Sequence, residues 1–391
     1  MIALQNNSDI IKAQKEIDAA GGRILQAGRI PNPELSVNWN ETPTNLNIGD
    51  ADERDIGLSQ EIEFPGKRGA RIDVAEHEKV IVELSLDRIK TLTISRVKRS
   101  YYQVLLTGET ITSLESTISL LNDFLKQVTE RYQAGSSTYL DVIRTKVETT
   151  RLGNELVEAR RDQQQRIAEL NILLGRLGET PVTLSDSLQY EPLQLSRDSV
   201  LVQYSVRSSF LQLAEREALR GQSLVSLAKK SYLPDFSFGL FHQQRAEEPP
   251  FNANDFSGIT TRSLGLQLGI SVPLWFWQQP RGQVEEAQAI VDIAAIQVEA
   301  ARRRVRQSII NAYQLASVAN QQVQVFQTSL LRDAEDELRA GISGYQNNQI
   351  DVLNLFDIYR TYRATKIEYA RALYNYLAAK AELDASAEVP E

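Results

Sequence analysis

The sequence predicts a mainly α-helical fold with a small transmembrane β part, duplicated along the chain. Local patterns recur in the same order about two hundred residues later, which is the signature of an internal repeat. Each copy contains two segments in which apolar and polar residues alternate, and one proline-free helical segment of roughly 60 residues. The recurring pairs are Ala13 with Ala214, Pro33-Glu34 with Pro234-Asp235, Arg68-Gly69 with Arg281-Gly282, and Asp141-Val142 with Asp351-Val352.

The repeat divides the chain into residues 1–185 and residues 186–391. In each half the predicted order is a helix, two strands and a long helical hairpin. The predicted strands and hairpin tips are strands 34–41 and 55–64 with a tip near residue 135 in the first half, and strands 235–243 and 263–273 with a tip near residues 341–349 in the second.

Composition excludes several classes of function. The net charge of −8 argues against nucleic-acid binding, because no basic domain is available to neutralise phosphates. Cysteine is absent, which rules out disulfides and thiolate sites. No run of about 18 apolar residues occurs, so no transmembrane helix is predicted. The N-terminus lacks a secretion-signal pattern, so a signal has been removed or the chain is truncated, with a cytoplasmic protein as the third possibility.

The alternating segments have the length and pattern of membrane-spanning strands. About ten residues cross a bilayer at the usual barrel tilt, with one apolar face for lipid and one polar face for a lumen. Four strands cannot close a barrel, whereas three chains would supply about twelve. A sheet on a soluble core is the alternative. Residues 42–53 and 244–262 are the predicted extracellular loops, and the predicted interfacial aromatic residues are Trp39, Phe64, Trp275, Phe276 and Trp277.

The long helical segments must pack against partners along their length. From about Arg71 to Ala134, and from about Gly282 to Ala340, the sequence reads as helix, about 90 Å at 1.5 Å per residue. Each segment reaches a glycine and then a second helix begins, which predicts a helical hairpin with a glycine turn. The predicted turn residues are Gly135 and Ser136 at the first tip, and Gly341 and Gly344 at the second.

These patterns resemble the TolC-like outer-membrane efflux channels. The resemblance covers nearly the whole chain and includes Ala27–Leu35 at the entry to the first strand, the segment from Tyr132 to Val142 at the first tip, and Tyr369–Leu377 in the last helix. The segment Phe64-Pro65-Gly66-Lys67-Arg68-Gly69 is most similar to the heavy-metal (CzcC/CusC-like) branch, whose members work with cation-exporting RND pumps.

The resemblance implies an assembly and a set of partners. It implies a homotrimer with a twelve-stranded β-barrel in outer-membrane lipid and a long α-helical barrel in the periplasm. The helix tips would meet a periplasmic adaptor (a membrane fusion protein) and an inner-membrane RND pump. Gly135, Ser136, Gly341 and Gly344 are then the expected adaptor contacts.

The sequence offers little for catalysis or metal binding. His77 and His242 are the only histidines, and neither stands in a nucleophile or metal-ligand pattern. With two histidines, one methionine and no cysteine, no set of soft metal ligands is available. We therefore predict no enzymatic activity, no catalytic residue, no metal site and no cofactor.

Asp351 and Asn354 are the candidate pore-constriction residues. In the resembled family an aspartate ring narrows the periplasmic end, and Asp351 matches its position, whereas Asn354 stands where a second aspartate is usual. Three Asp351 side chains in a narrow constriction would attract cations and repel anions. The alternative is that Asp351 only caps the returning helix. Asp141, its equivalent in the first copy, is expected to be an ordinary helix-start residue.

The predicted function is a passive outer-membrane exit duct of a tripartite efflux system, gated at the periplasmic helix tips and exporting heavy-metal cations. Export of drugs, or of polypeptides by type I secretion, is an alternative within the same class. A soluble coiled-coil scaffold is the alternative from another class.

Overall fold

A computed structural model describes residues 1–40, 53–183, 186–247, 259–275 and 277–388 of the chain. The chain divides into two compact units. One comprises Met1–Lys15, Leu84–Gln212 and Glu299–Glu391, and contains the helical hairpins. The other comprises Glu16–Glu83 and Leu213–Val298, and contains the β-sheet. Both units draw on both halves of the sequence.

Four strands form one antiparallel sheet in the order β1-β2-β3-β4. They are β1 (Glu34–Asn40), β2 (Glu53–Ile62), β3 (Asp235–Glu247) and β4 (Ile259–Ser271). The last two differ from the predicted strands 235–243 and 263–273, because the backbone ladder continues to the pair Glu247–Ile259 although the apolar alternation has faded. Parts of the predicted loop 244–262 are therefore strand, and most of the predicted loop 42–53 lies outside the described residues.

The register gives the sheet one polar and one apolar face. Residues paired across strands share a face, so the pairs Ser36–Gly57 and Ser59–Gly239 belong to the polar side. The apolar side chains are all exposed, which is the reverse of what a sheet on a soluble core requires. They are Leu35, Val37, Trp39, Ile56, Leu58, Ile62, Phe236, Phe238, Leu240, Leu264, Leu266, Leu268 and Ile270.

Helices make up most of the remaining chain. Among the residues that the structure describes, no helix combines the length and apolar character needed to cross a membrane. The helices are α1 (Ile2–Asn6), α2 (Ser8–Ala27), α3 (Lys67–Gln133), α4 (Tyr139–Leu173), α5 (Arg197–Arg207), α6 (Ser209–Lys230), α7 (Gln279–Val325), α8 (Leu331–Gln346) and α9 (Val352–Ala385).

The two long helices differ in continuity. The helix α3 runs for 67 residues without interruption. Its counterpart consists of α7 and α8, joined by a π-helical segment at Phe326–Leu330. This segment inserts one residue into the helical repeat, so the buried face of α8 is rotated relative to a continuous α-helix. The α7–α8 helix also continues past the predicted end at Ala340, to Gln346.

The core of the helical unit near the hairpin tips is apolar and aromatic. The rings of Phe124 and Tyr345 meet edge to face at 4.9 Å between centroids, and Phe124 also meets Phe356 at 6.1 Å. Such contacts add to the burial free energy and fix the relative rotation of the helices. The buried members of this cluster are Leu114, Leu121, Phe124, Val128, Val142, Leu152, Leu338, Tyr345, Val352, Leu355, Phe356 and Tyr359.

Candidate functional site

The first hairpin tip has the predicted glycine turn. Gly135 has φ +75°, a conformation that costs an L-residue about 1–2 kcal/mol, and the Ser136 N–H donates to Arg131 O at 2.8 Å. Thr138 then caps α4 in a capping box with Asp141. Gly135 and Ser136 are both exposed at this tip. Asp141 is therefore the helix-start residue that the sequence predicted.

The second tip departs from the prediction. Gly341 and Gly344 lie inside α8 and are buried, so they do not form the turn. A Cβ at Gly341 would lie 2.6 Å from Cδ1 of Ile358 on α9, so this glycine allows close helix packing. The turn follows α8, where Asn348 adopts φ +58°. The predicted assignment was wrong because a glycine within a helix was taken as a helix end.

Asp351 caps the helix that follows this turn. Its carboxylate Oδ1 accepts a hydrogen bond from the Asn354 N–H at 2.8 Å, which makes Asp351 the N-cap of α9. The side chains of Asp351 and Asn354 are exposed. Among the described residues no arginine or lysine forms an ion pair with Asp351. The capping role is thus confirmed, and the ring of three aspartates stays a prediction.

Arg131 connects the two tips. From the last turn of α3 its guanidinium donates to the Tyr345 carbonyl at 3.2 Å and to the Asn348 side chain. It also lies 5.0 Å from the centroid of the Tyr345 ring, in cation–π geometry. The positive charge therefore meets the carbonyl end of α8, where the helix dipole favours a cation. The sequence reasoning did not identify this residue.

Two ion pairs connect α4 to α9 above the tips. Arg360 binds the carboxylate of Glu148 with two hydrogen bonds of 3.1 and 3.0 Å, and Arg363 binds Glu155 at 3.0 Å. Glu148 is buried, and burial alone would raise the pKa of its carboxyl. The hydrogen bond and charge of Arg360, with smaller contributions from Arg151 and Arg363, outweigh burial and lower this pKa below its ordinary value.

A second ionic cluster anchors the sheet in the other unit. Lys67 Nζ donates to Asp235 Oδ2 at 2.7 Å and to Leu233 O at 2.8 Å, and the Phe64 N–H donates to Asp235 Oδ1 at 2.9 Å. Lys230 Nζ donates to the Gly66 carbonyl at 2.7 Å. The segment Phe64–Gly69, noted in the sequence only for its resemblance, thus connects the first repeat to the start of β3.

Comparison with known proteins decides the family. The model of the outer membrane efflux protein family matches residues 2–176 and 201–387, which covers most of both halves. The chain belongs to this family. The predicted resemblance, the duplicated TolC-like fold and the outer-membrane location are thereby confirmed, and the soluble scaffold alternative is rejected.

The chain is distantly similar to the individual proteins CzcC, TolC and CusC. It is 24% identical over 373 residues to the cobalt-zinc-cadmium resistance protein CzcC of Cupriavidus metallidurans, covering 95% of this chain and 84% of CzcC. It is 22% identical over 391 residues to the outer membrane protein TolC of Escherichia coli, covering 95% and 78%. A crystal structure of CusC has a TM-score of 0.77 at 17% identity, covering 99% of this chain and 90% of CusC.

The predicted interfacial aromatic residues that the structure describes differ in exposure. Trp39, Trp275 and Trp277 are exposed, as interfacial residues must be. Phe64 is half-buried and stacks on Phe236 with 6.3 Å between centroids, so its contact is with the sheet. Phe276 lies outside the described residues. The interfacial role stays a prediction for all five residues.

The histidines do not form a metal site in the described part of the chain. His77 lies in α3, and His242 lies on the apolar side of β3 opposite Ile56 and Leu264. No group of three or more histidine or carboxylate side chains among the described residues could hold a metal ion.

We expect Arg360→Ala to loosen the α4–α9 contact. Glu148 would remain buried without its main partner, so its pKa would rise and amides of α4 near residue 148 would exchange hydrogen on the order of tenfold faster. In the wild type the folded-state pKa of Glu148 is lowered. The stability that ionised Glu148 contributes is therefore fully present at pH values above its unfolded-state pKa of about 4.3. This stability is lost as the pH falls through the lower folded-state pKa.

Hydrogen exchange measured at several pH values, normalised to intrinsic rates, checks this expectation. In Arg360→Ala the loosening on acidification should begin at a higher pH than in the wild type. Arg339→Ala is the matched control, since Arg339 is exposed and pairs only within α8, with Asp336. Equal exchange in both variants would show that the Glu148–Arg360 pair does not hold the two helices together.

Proposed function

We propose that this chain is the exit duct of a tripartite efflux system that exports heavy-metal cations. It acts as a passive conduit in the outer membrane and is gated at the periplasmic helix tips. The observation that carries the proposal is the sheet of four strands in the described part of the chain, which exposes an apolar face, has a polar face on the other side and leaves both edge strands with one neighbour each. This is the arrangement of a barrel segment whose remaining strands come from other copies.

A homotrimer is the proposed assembly. Three copies give about twelve strands, enough for an open barrel, and β1 of one copy would pair with β4 of the next. The helical unit also has an apolar surface that needs a partner. Leu140, Ile143 and Val147 form an exposed apolar stripe on one side of α4. A neighbouring copy would cover this stripe in a closed ring.

Heavy-metal cations are the proposed substrate for two reasons. The relative CzcC carries a name that refers to cobalt, zinc and cadmium resistance. The polar face of the sheet bears the carboxylates of Glu34, Asp55 and Glu61, while Arg245 on the same face is paired with Glu53. An excess of carboxylates favours cations over anions in a lumen. Metal selectivity would lie in the RND pump, because this chain offers no set of soft ligands.

The helix tips are the proposed contact with the periplasmic adaptor. Gly135 and Ser136 are exposed, as such a contact requires, and stay in the proposal. Gly341 and Gly344 are buried in α8 and lose it. The exposed residues of the second tip, Gln346–Gln349, take their place.

Asp351 is the proposed gate residue. The effect of its charge can be tested separately from its role as the N-cap of α9. We expect Asp351→Asn to weaken cation selectivity about twofold, since asparagine caps a helix as well as aspartate but carries no charge. Asp351→Ala removes both properties and should also raise single-channel conductance in planar bilayers. Asp141→Asn, the equivalent change in the first repeat, should leave conductance and selectivity unchanged. Selectivity that survives both Asp351 variants would remove Asp351 from the gate.

Metal tolerance tests the substrate. Deleting the gene for this chain in its host should lower the concentrations of cobalt, zinc and cadmium that inhibit growth, and complementation should restore them. Tolerance to dyes, detergents and antibiotics should not change. If drug tolerance fell while metal tolerance stayed the same, the drug-export alternative would replace metal export; loss of a secreted polypeptide alone would favour type I secretion.

A further inference from the structure

One aromatic side chain interrupts the polar face of the sheet. Phe241 lies in the middle of β3, on the side that otherwise carries serine, threonine, glycine, amide and charged residues wherever side chains are described. Its cross-strand neighbours on that face are Gly57 on β2 and Gly265 on β4. A bulky ring thus stands between two positions that have no side chain.

The ring fills the space above Gly265. A Cβ at Gly265 would lie 2.3 Å from Cζ and 2.5 Å from Cε1 of Phe241, closer than real Cβ contacts come. A Cβ at Gly57 would lie 3.9 Å from Cβ of Phe241, an ordinary contact. The ring is therefore inclined over β4 and lies along the sheet, where a side chain would normally stand roughly perpendicular to it. Phe241 is half-buried as a result.

The inclined position of the Phe241 ring over Gly265 keeps open the space above the polar face of the sheet. Phe241 lines a groove of about 750 Å³ on the polar face, together with Asn38, Asp55, Gln243 and Gln267. A phenylalanine that stood upright would project into this groove, whereas the inclined ring leaves it open.

We propose that Phe241 and Gly265 together set the bore of the duct at the level of the middle of the sheet. This inference rests on the proposed function, because it places the polar face toward the lumen. In an assembly of three copies, three inclined rings would form an aromatic collar. Gly265 keeps the collar open, and any side chain at position 265 would force the ring toward the lumen axis.

Single-channel conductance of the full chain in planar bilayers tests the proposal. Gly265→Ala should lower conductance, because its methyl group takes the space of the ring. Phe241→Ala should raise conductance. The double variant should conduct like Phe241→Ala, because without the ring the added methyl group has nothing to displace. Gly239→Ala is the matched control on the same face, where the new Cβ would meet its neighbours at 3.5 Å or more, and it should leave conductance unchanged.

The outcomes separate this inference from the proposed function. If the wild-type chain forms no channel, the proposed function fails and the inference fails with it. If the wild type conducts and Gly265→Ala matches Gly239→Ala, or lowers conductance equally with and without Phe241, the collar is refuted while the duct stands. If Gly265→Ala does not assemble, two variants of Phe241 test the collar. Phe241→Ala should conduct more than the wild type and Phe241→Trp should conduct less. Equal conductance in these two variants would refute the collar.

Discussion

An incomplete β-sheet is the constraint on which the rest of this protein depends. Within the described residues its edge strands β1 and β4 each have a neighbour on one side only, and its apolar side chains are exposed. Unpaired backbone groups cannot enter a membrane, since nothing there replaces their hydrogen bonds. The sheet can therefore be stable in the outer membrane only when further strands complete it. The proposed trimeric duct would satisfy that requirement with copies of one chain, and lipid would cover the apolar face.

The hairpin tips differ from the sheet, because contacts within one chain already hold them together. Arg131 joins the two hairpin turns, and the Glu148–Arg360 pair joins α4 to α9 over a buried aromatic cluster. A gate at these tips can open only if such contacts break or move as a unit. Any partner that opened such a gate would have to supply the corresponding free energy through differential binding to the open state.

Much of the fold could be predicted from the sequence, because period-two strands, long helices and an internal repeat are strong signals. The ends of β3 and β4 at their connecting loop could not be predicted, because the backbone pairing continues beyond the last residues in which apolar and polar side chains alternate. The end of α8 was predicted wrongly at Gly341, because glycine is favoured both at a helix end and where two helices pack closely. In this protein Gly341 packs closely against Ile358. At the site, the cap at Asp351 was readable from its position. The pairing of Glu148 with Arg360 was not, because many charged residues on long helices could have been partners.

Cysteine cross-linking across the open edges tests the central claim most directly, because the chain has no native cysteine to interfere. Val37→Cys on β1 would be combined in turn with Leu264→Cys, Leu266→Cys, Leu268→Cys or Ile270→Cys on β4, in detergent-purified protein. The account predicts that at least one pair yields disulfide-linked dimers and trimers, with no larger species, while each single variant stays monomeric on denaturing gels. Monomers from every pair, with the protein otherwise folded, would contradict a sheet completed by neighbouring copies.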